Sequence, residues 1–374
     1  MFKNLLRNTD YILLVATIIL VIIGVIGIYS AGYGEVDGSN TEYQKQLIWF
    51  GIVLVIEIFL WAIDTRALEF LGYAIYAVSF VLLIVVLAMP SVFGAHSWIL
   101  IQGFSYQPSE LMKIGYILCS AKIMAMYLED KESPKPDKKK SIILLGIIVA
   151  LFVLPVFLII LQPDFGTALV YLMITAFMIY KLGLKYRYII GAVVVVLILI
   201  PTIYNFLPAH AKTRIDVFLN PELDPLGDGY NAIQSKIAVG SGQLLGTGLL
   251  KGSQTQYDYL PVQSSDFIFS VISEELGFFA SCGVVIVYLV MLLRVLKASR
   301  DANNSYTSLV AIGIAGMFAF HFIENIGMTI GLLPITGVPL PFVSYGGSNL
   351  LTSGFAIGII LNITSRKNDT RMFR

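Results

Sequence analysis

Residues 11–29 read YILLVATIILVIIGVIGIY, a run without a single charged side chain. An α-helix rises about 1.5 Å per residue, so about 20 apolar residues cross a hydrocarbon layer of about 30 Å. No small-residue cleavage site follows Tyr29, and the run reads as a first membrane helix rather than a removable leader. Comparable runs lie near 46–63, 68–89, 108–128, 142–161, 165–181, 189–206, 267–296, 305–330 and 348–364. The expected fold is an all-α polytopic membrane protein, one transmembrane domain over 1–374 with about ten transmembrane helices. The run at 165–181 is the shortest. The run at 267–296 is long enough to be tilted or to extend past the bilayer.

Composition agrees with this reading. Apolar residues make up 57% of the chain and charged residues 13%, with a mean hydropathy of +0.81; a soluble domain is about a quarter charged. A net charge of +1 says nothing about nucleic acid or acidic partners, and only the placement of charge is informative. Cys119 and Cys282 sit in apolar runs without metal-ligand spacing, and His96, His210 and His321 are too scattered to suggest a metal site.

Lys and Arg concentrate on cytoplasmic loops. With the N-terminus inside, alternation puts eighteen of the 25 basic residues there, among them Arg66, Lys131, Lys138, Lys139, Lys140, Arg294, Arg300 and Arg366. The outer side receives Lys45, Lys212, Arg214, Lys236 and Lys251, while Lys113 and Lys122 fall within a helix. Dropping one helix scrambles the asymmetry, so both termini are expected in the cytoplasm. Segment 129–141 reads as a solvated inner loop.

The outer loop between the seventh and eighth runs, about 207–265, is far longer than a connection needs, and such loops are usually functional or disordered. Ile, Val, Leu and Tyr persist through it, against disorder. Within it, Tyr230–Val239 has the pattern of a short interfacial helix ended by Gly240 and Gly242. The glycines at 240, 242, 246 and 248 lack the Gly-Lys-Ser/Thr ending of a phosphate loop and read as a tight turn.

Chemistry-bearing residues cluster toward the outside. Pro108 suits a first helical position, and Glu110 and Lys113, three apart, share a helix face; they line a functional cavity or form a self-neutralising packing pair. Asp164 reads as a helix cap. Arg214 can grip phosphate oxygens or lipid headgroups through its planar fork. Asp266 stands where the polar loop enters a long apolar helix, either as a partly desolvated base or as an N-cap. Glu274 and Glu275 lie deeper, where their cost argues for pairing with a cation such as Lys113 or Arg214. The proline- and glycine-rich link 334–348, carrying Ser344 and Tyr345, is irregular backbone near membrane depth, tolerated where it lines a cavity or is buried in protein.

In order, the chain carries QPSELMK (107–113), QPDFGT (162–167), NPELDPLGDGY (220–230), QSKIAVGSG (234–242), SSDFIFSVISEELGF (264–278) and NIGMTIGLLPITGVPLPFVSYGGS (325–348). This ordered set resembles the SEDS family of shape, elongation, division and sporulation proteins, and Asn220-Pro221-Glu222 with Gly252-Ser253-Gln254 is closer to its RodA branch than to its division branch. The resemblance implies a peptidoglycan glycosyltransferase of the cell membrane. Such an enzyme polymerises lipid II, a polyprenyl-pyrophosphate-linked disaccharide peptide, at the outer face for cell elongation and shape. It implies Asp266 as the essential aspartate. Substrate contacts are expected at Lys113, Glu110, Arg214, Lys236, Ser344 and Tyr345, with Lys113 and Arg214 on the donor pyrophosphate. A divalent cation, Mg or Mn, fits a pyrophosphate substrate, and no organic cofactor is implied. Implied partners are a class B penicillin-binding protein transpeptidase and other elongation-complex membrane proteins. Two departures stand out. His96 precedes Ser97-Trp98 where the family often has an arginine before the tryptophan, and Pro261-Val262-Gln263-Ser264-Ser265-Asp266 replaces Pro-Glu-x-His-Thr-Asp. Competing readings are a lipid II flippase, which favours symmetric halves with broken helices, and a non-catalytic scaffold of the cell-wall synthesis complex.

Overall fold

The structure, a computed structural model, describes residues 2–33, 41–91, 95–101, 104–183, 204 and 209–366. A short α1 (Phe2–Asn8) leads into α2 (Tyr11–Ala31), α3 (Glu42–Ala62) and α4 (Thr65–Val86). A small antiparallel hairpin, β1 (Ile99–Ile101) and β2 (Phe104–Tyr106), pairs Ile99 with Tyr106. Then come α5 (Pro108–Glu132), α6 (Lys138–Leu161) and α7 (Phe165–Lys181). The outer loop holds α8 (Ala209–Leu219), α9 (Asp228–Ser241) and the single turn α10 (Ser253–Gln256). Helices α11 (Ile268–Arg300), α12 (Ser305–Thr329) and α13 (Gly347–Ser365) complete the described chain.

Eight described helices are long and apolar enough to cross a membrane, and the seventeen-residue α7 is a shorter apolar one. The expected run at 189–206 lies outside the described residues except for Tyr204. Segment 129–141 is not one loop: α5 continues to Glu132 and α6 starts at Lys138. Asp137 accepts from Lys139 N at 2.9 Å, and Asp130 accepts from Ser141 Oγ at 2.8 Å, so polar caps carry both helices beyond their apolar stretches.

Helices α12 and α13 are mostly buried and α5 largely so, whereas α6 presents most of its surface outward. The ends assigned to one side of the membrane also meet in space. Arg294 clamps Asp10 at 2.7 Å, and Arg366 donates to Ala62 O at 2.8 Å, all on the inner side. Gln263 donates to Ala31 O at 2.8 Å, and Gln107 N donates to Ser348 Oγ at 3.1 Å, on the outer side.

The long run at 267–296, expected to be tilted or to extend past the bilayer, is two helices. Gly277 takes φ 78°, ψ −174°, which separates a stub (268–276) from the main span (278–300). Such a break frees carbonyls on one side and N–H groups on the other. Loop residues 243–248 satisfy both. Thr247 N donates to Glu274 O at 2.9 Å and Gly248 N to Glu275 O at 3.0 Å; Phe278 N donates to Gln243 O at 2.9 Å. A Cβ on Gly277 would sit 2.2 Å from Gly246 N, and one on Gly246 would sit 2.1 Å from Glu275 O. Both glycines therefore serve close backbone approach, which for Gly246 goes beyond the tight turn expected of it. The stub is also turned away from the bundle direction: Ile268 packs against Gly27 while Glu275, almost two turns on, bonds Ser30.

Link 334–346 is irregular, as its prolines and glycines require, and is buried over 340–344. Leu340, Phe342 and Val343 are at most 1% exposed. A Cβ at Gly24, within α2, would lie 2.7 Å from Val343 Cα, so the link dips below the outer helix ends.

Candidate active site

Four consecutive residues of that link, Thr336-Gly337-Val338-Pro339, organise the polar residues of three helices and the outer loop. Arg214 Nη1 donates to Thr336 O at 3.3 Å. Gly337 has φ 74° and lies so near Asp266 that a Cβ there would be 3.3 Å from its Oδ2. Asn325 Nδ2 donates to both Asp266 O and Val338 O, each at 2.9 Å. His321 Nδ1 meets Pro339 O at 2.9 Å, its Nε2 meets Lys113 Nζ at 3.0 Å, and Lys113 pairs with Glu110 at 2.7 Å. An ammonium only donates, so Nε2 is the acceptor and Nδ1–H donates to Pro339 O. Glu324 accepts from the Thr336 hydroxyl.

Asp266 is half-buried and does not cap α11, whose N-cap Phe267 makes no side-chain cap bond. The capping alternative therefore falls. Burial pushes its carboxyl up to about 6, against the lowering pull of the Ser265 hydroxyl and of Arg214. The backbone leading to it is clasped: Ser344 Oγ donates to Ser265 O at 2.6 Å, and Tyr345 N donates to Ser264 O at 2.9 Å. Gln46 on α3 in turn donates to Ser344 O at 3.1 Å.

Beside this centre, Arg214, Asp228 and Lys236 face Gly331, Leu333 and Pro334 across a shallow outer cleft. Arg214 and Asp228 approach to 3.7 Å with about a third of each side chain exposed, and Lys236 is exposed. Arg214 thus belongs both to the cleft and to the surroundings of Asp266. Lys113 differs. It is 1% exposed and faces Glu110 and His321, so it stands behind the link rather than on the cleft.

Other expectations resolve as follows. Asp164 caps α7, accepting from Thr167 N at 3.1 Å, and also accepts from Gln107 Nε2 at 2.8 Å, which ties two motifs together. The interfacial helix in the loop forms as α9. Glu274 and Glu275 do not pair with Lys113 or Arg214. Glu274 accepts from Gln254 N at 2.8 Å, Thr255 N at 3.0 Å and Thr255 Oγ1 at 2.7 Å; Glu275 accepts from Ser30 Oγ at 2.6 Å and Gln256 Nε2 at 3.1 Å. Several neutral donors replace a cation because a carboxylate is satisfied by any set of N–H and O–H groups. His321, Glu324 and Asn325 join the site although none was expected there as a site residue. Their signal was present, three polar groups on neighbouring turns of an apolar run, where such groups usually face the bundle interior.

These features define a polytopic membrane protein with a half-buried carboxylate at its outer side, near Arg214 and beside the cleft that Arg214 shares with Lys236. The family model described as "Cell cycle protein", for FtsW, RodA and SpoVE, matches residues 10–369, and the chain belongs to that family. It is 34% identical to the peptidoglycan glycosyltransferase RodA of Treponema pallidum, covering 96% of this chain and 98% of that one. It is 35% identical to stage V sporulation protein E of Bacillus subtilis, over 96% and 97% of the two chains. Among solved structures, a chain of a peptidoglycan synthase complex that coordinates polymerization and crosslinking superposes with TM-score 0.78 at 26% identity, covering 96% of this chain and 98% of that one. The rod shape determining protein RodA of Thermus thermophilus shares the fold at TM-score 0.69 and 24% identity, over 96% and 98% of the two chains.

Proposed function

We propose that this chain is a peptidoglycan glycosyltransferase that polymerises lipid II into glycan strands at the outer face of the cell membrane, in the service of elongation and shape. The observation that carries the mechanism is Asp266, a half-buried carboxylate with its affinity for protons raised and Arg214 nearby. Asp266 takes the proton of the acceptor 4-hydroxyl as its oxygen attacks the donor's anomeric carbon. The bond from that carbon to the pyrophosphate oxygen breaks, polyprenyl pyrophosphate leaves, and the anomeric centre inverts. Pyrophosphate is a good leaving group, so the acid partner that a glycosidase needs is dispensable. Arg214 and Lys236, the accessible cations of the cleft, meet the charge on the departing oxygens. Lys113, paired with Glu110 behind the link, adds no net charge to the cleft.

A Mg or Mn ion supplies further neutralisation when bound. No group of three or more His, Cys, Asp or Glu gathers among the described residues, so such an ion would take most of its ligands from phosphate and water. Asp228, beside Arg214 on the cleft, would be the protein carboxylate placed to join them. The partner in this reading is a class B penicillin-binding protein supplying crosslinking.

A flippase reading gains one observation, the helix break at Gly277. Polymerisation of purified lipid II in detergent, where transport has no meaning, separates the two. The chain should make glycan strands with and without its partner, and Asp266→Ala should make none at the same folded yield. A chelator arm reports the cation. Activity retained by Asp266→Ala refutes the assignment of the base.

A further inference from the structure

Lys113 is an ammonium enclosed at membrane depth, and Glu110 alone would neutralise it. Its second partner does something more. His321 joins the Glu110–Lys113 pair on α5 to the link that faces Asp266, through Nε2 on one side and Nδ1–H on the other. Asn325, four residues on and so on the same face of α12, grips the next carbonyl of the link and the carbonyl of Asp266 itself. His321 is 2% exposed and Asn325 is 0% exposed, which leaves neither bond in competition with water. The two side chains hold Val338, Pro339 and Asp266 at three points.

We propose that His321 is a positioning residue for the glycosyl transfer. It transmits the fixed position of the buried Glu110–Lys113 pair to the backbone of Thr336–Pro339 and so sets the place and direction of the Asp266 carboxylate. This rests on the reading of Asp266 as the base. His321 touches no surface of the cleft, so its effect falls on the reacting geometry and not on substrate capture. A displacement of about 1 Å at a reacting group can cost about 100-fold in rate.

Three substitutions grade the effect by the bonds they keep. Gln offers one donor and one acceptor with reach for both partners, Asn is too short to span them, and Leu fills the volume with neither. In lipid II polymerisation by the purified full chain, His321→Gln should stay within about threefold of the parent. Both His321→Asn and His321→Leu should lose kcat, Leu by about 100-fold, with KM within about twofold. If the Leu variant fails to fold, the Gln and Asn pair decides, each normalised to the folded fraction by size-exclusion chromatography and thermal unfolding. Parental kcat in the Asn variant, or losses that vanish on normalising to folded protein, overturn the proposal. The parent and Asp266→Ala run alongside. An inactive parent, or an active Asp266→Ala, overturns the underlying reading and this inference with it. A working parent, a dead Asp266→Ala and an unaffected Asn variant overturn this inference alone.

Discussion

Acidification should slow glycan synthesis well above the pH at which an ordinary aspartate protonates. A general base acts in its deprotonated form, so the rate follows the ionised fraction of Asp266. With its carboxyl raised to about 6, that fraction is about 0.97 at pH 7.5 and about 0.09 at pH 5, a fall of about tenfold. An aspartate at its ordinary 3.8 would still be about 94% ionised at pH 5, and the rate would barely change. The same shift means that the folded chain binds this proton more tightly than the unfolded one. This group's contribution to stability therefore falls as pH rises from about 4 to about 6, and loss of rate on acidification is not unfolding driven by Asp266. Initial rates on fluorescent lipid II in detergent between pH 4.5 and 8.5, at saturating substrate, give the profile. Arg214→Gln removes a lowering influence and should move the acid limb upward while reducing the plateau. A flat profile from pH 5 to 7.5, or a limb that stays in place in Arg214→Gln, refutes the reasoning.

Two further outcomes test the architecture around the base. Gly277→Ala places a Cβ 2.2 Å from Gly246 N on a backbone with φ 78°, and strain of at least about 1 kcal/mol should lower the melting temperature in detergent; an unchanged melting temperature means that the break is not held as described. Glu274→Leu strands the N–H groups of Gln254 and Thr255 and the Thr255 hydroxyl, at about 1–3 kcal/mol for each buried group left unpaired. Loop 241–263 should then become the first site of limited proteolysis, and an unaltered cleavage pattern counts against Glu274 as its anchor.

The membrane helices were legible because length and apolarity are local properties, and the described helices fall within a few residues of the hydropathy runs. The break at Gly277 was not legible. Gly24 stands in an apolar run of the same character and stays helical, because what makes Gly277 a break is a loop thirty residues upstream that supplies the missing partners. Hairpin 99–106 was too short to leave a period. In the site, Asp266 and the Glu110–Lys113 pair stood out as charges where charge is costly. Glu274 and Glu275 stood out equally, but their partners were sought among cations, and backbone N–H groups leave no mark in a sequence. His321 and Asn325 act on main-chain carbonyls, which every residue has, so nothing in the text pointed to where they attach.

The break has a geometric consequence. From Phe278 to Arg300 the helix is already about 35 Å long, enough by itself to cross about 30 Å of hydrocarbon. The nine residues before Gly277 are thus surplus to crossing, and the kink sets them apart as a bracket packed against α2. Asp266 rides on the free end of that bracket. A chain shorn of it would keep a span long enough for the bilayer and would lose the anchorage of Asp266, the proton acceptor we propose.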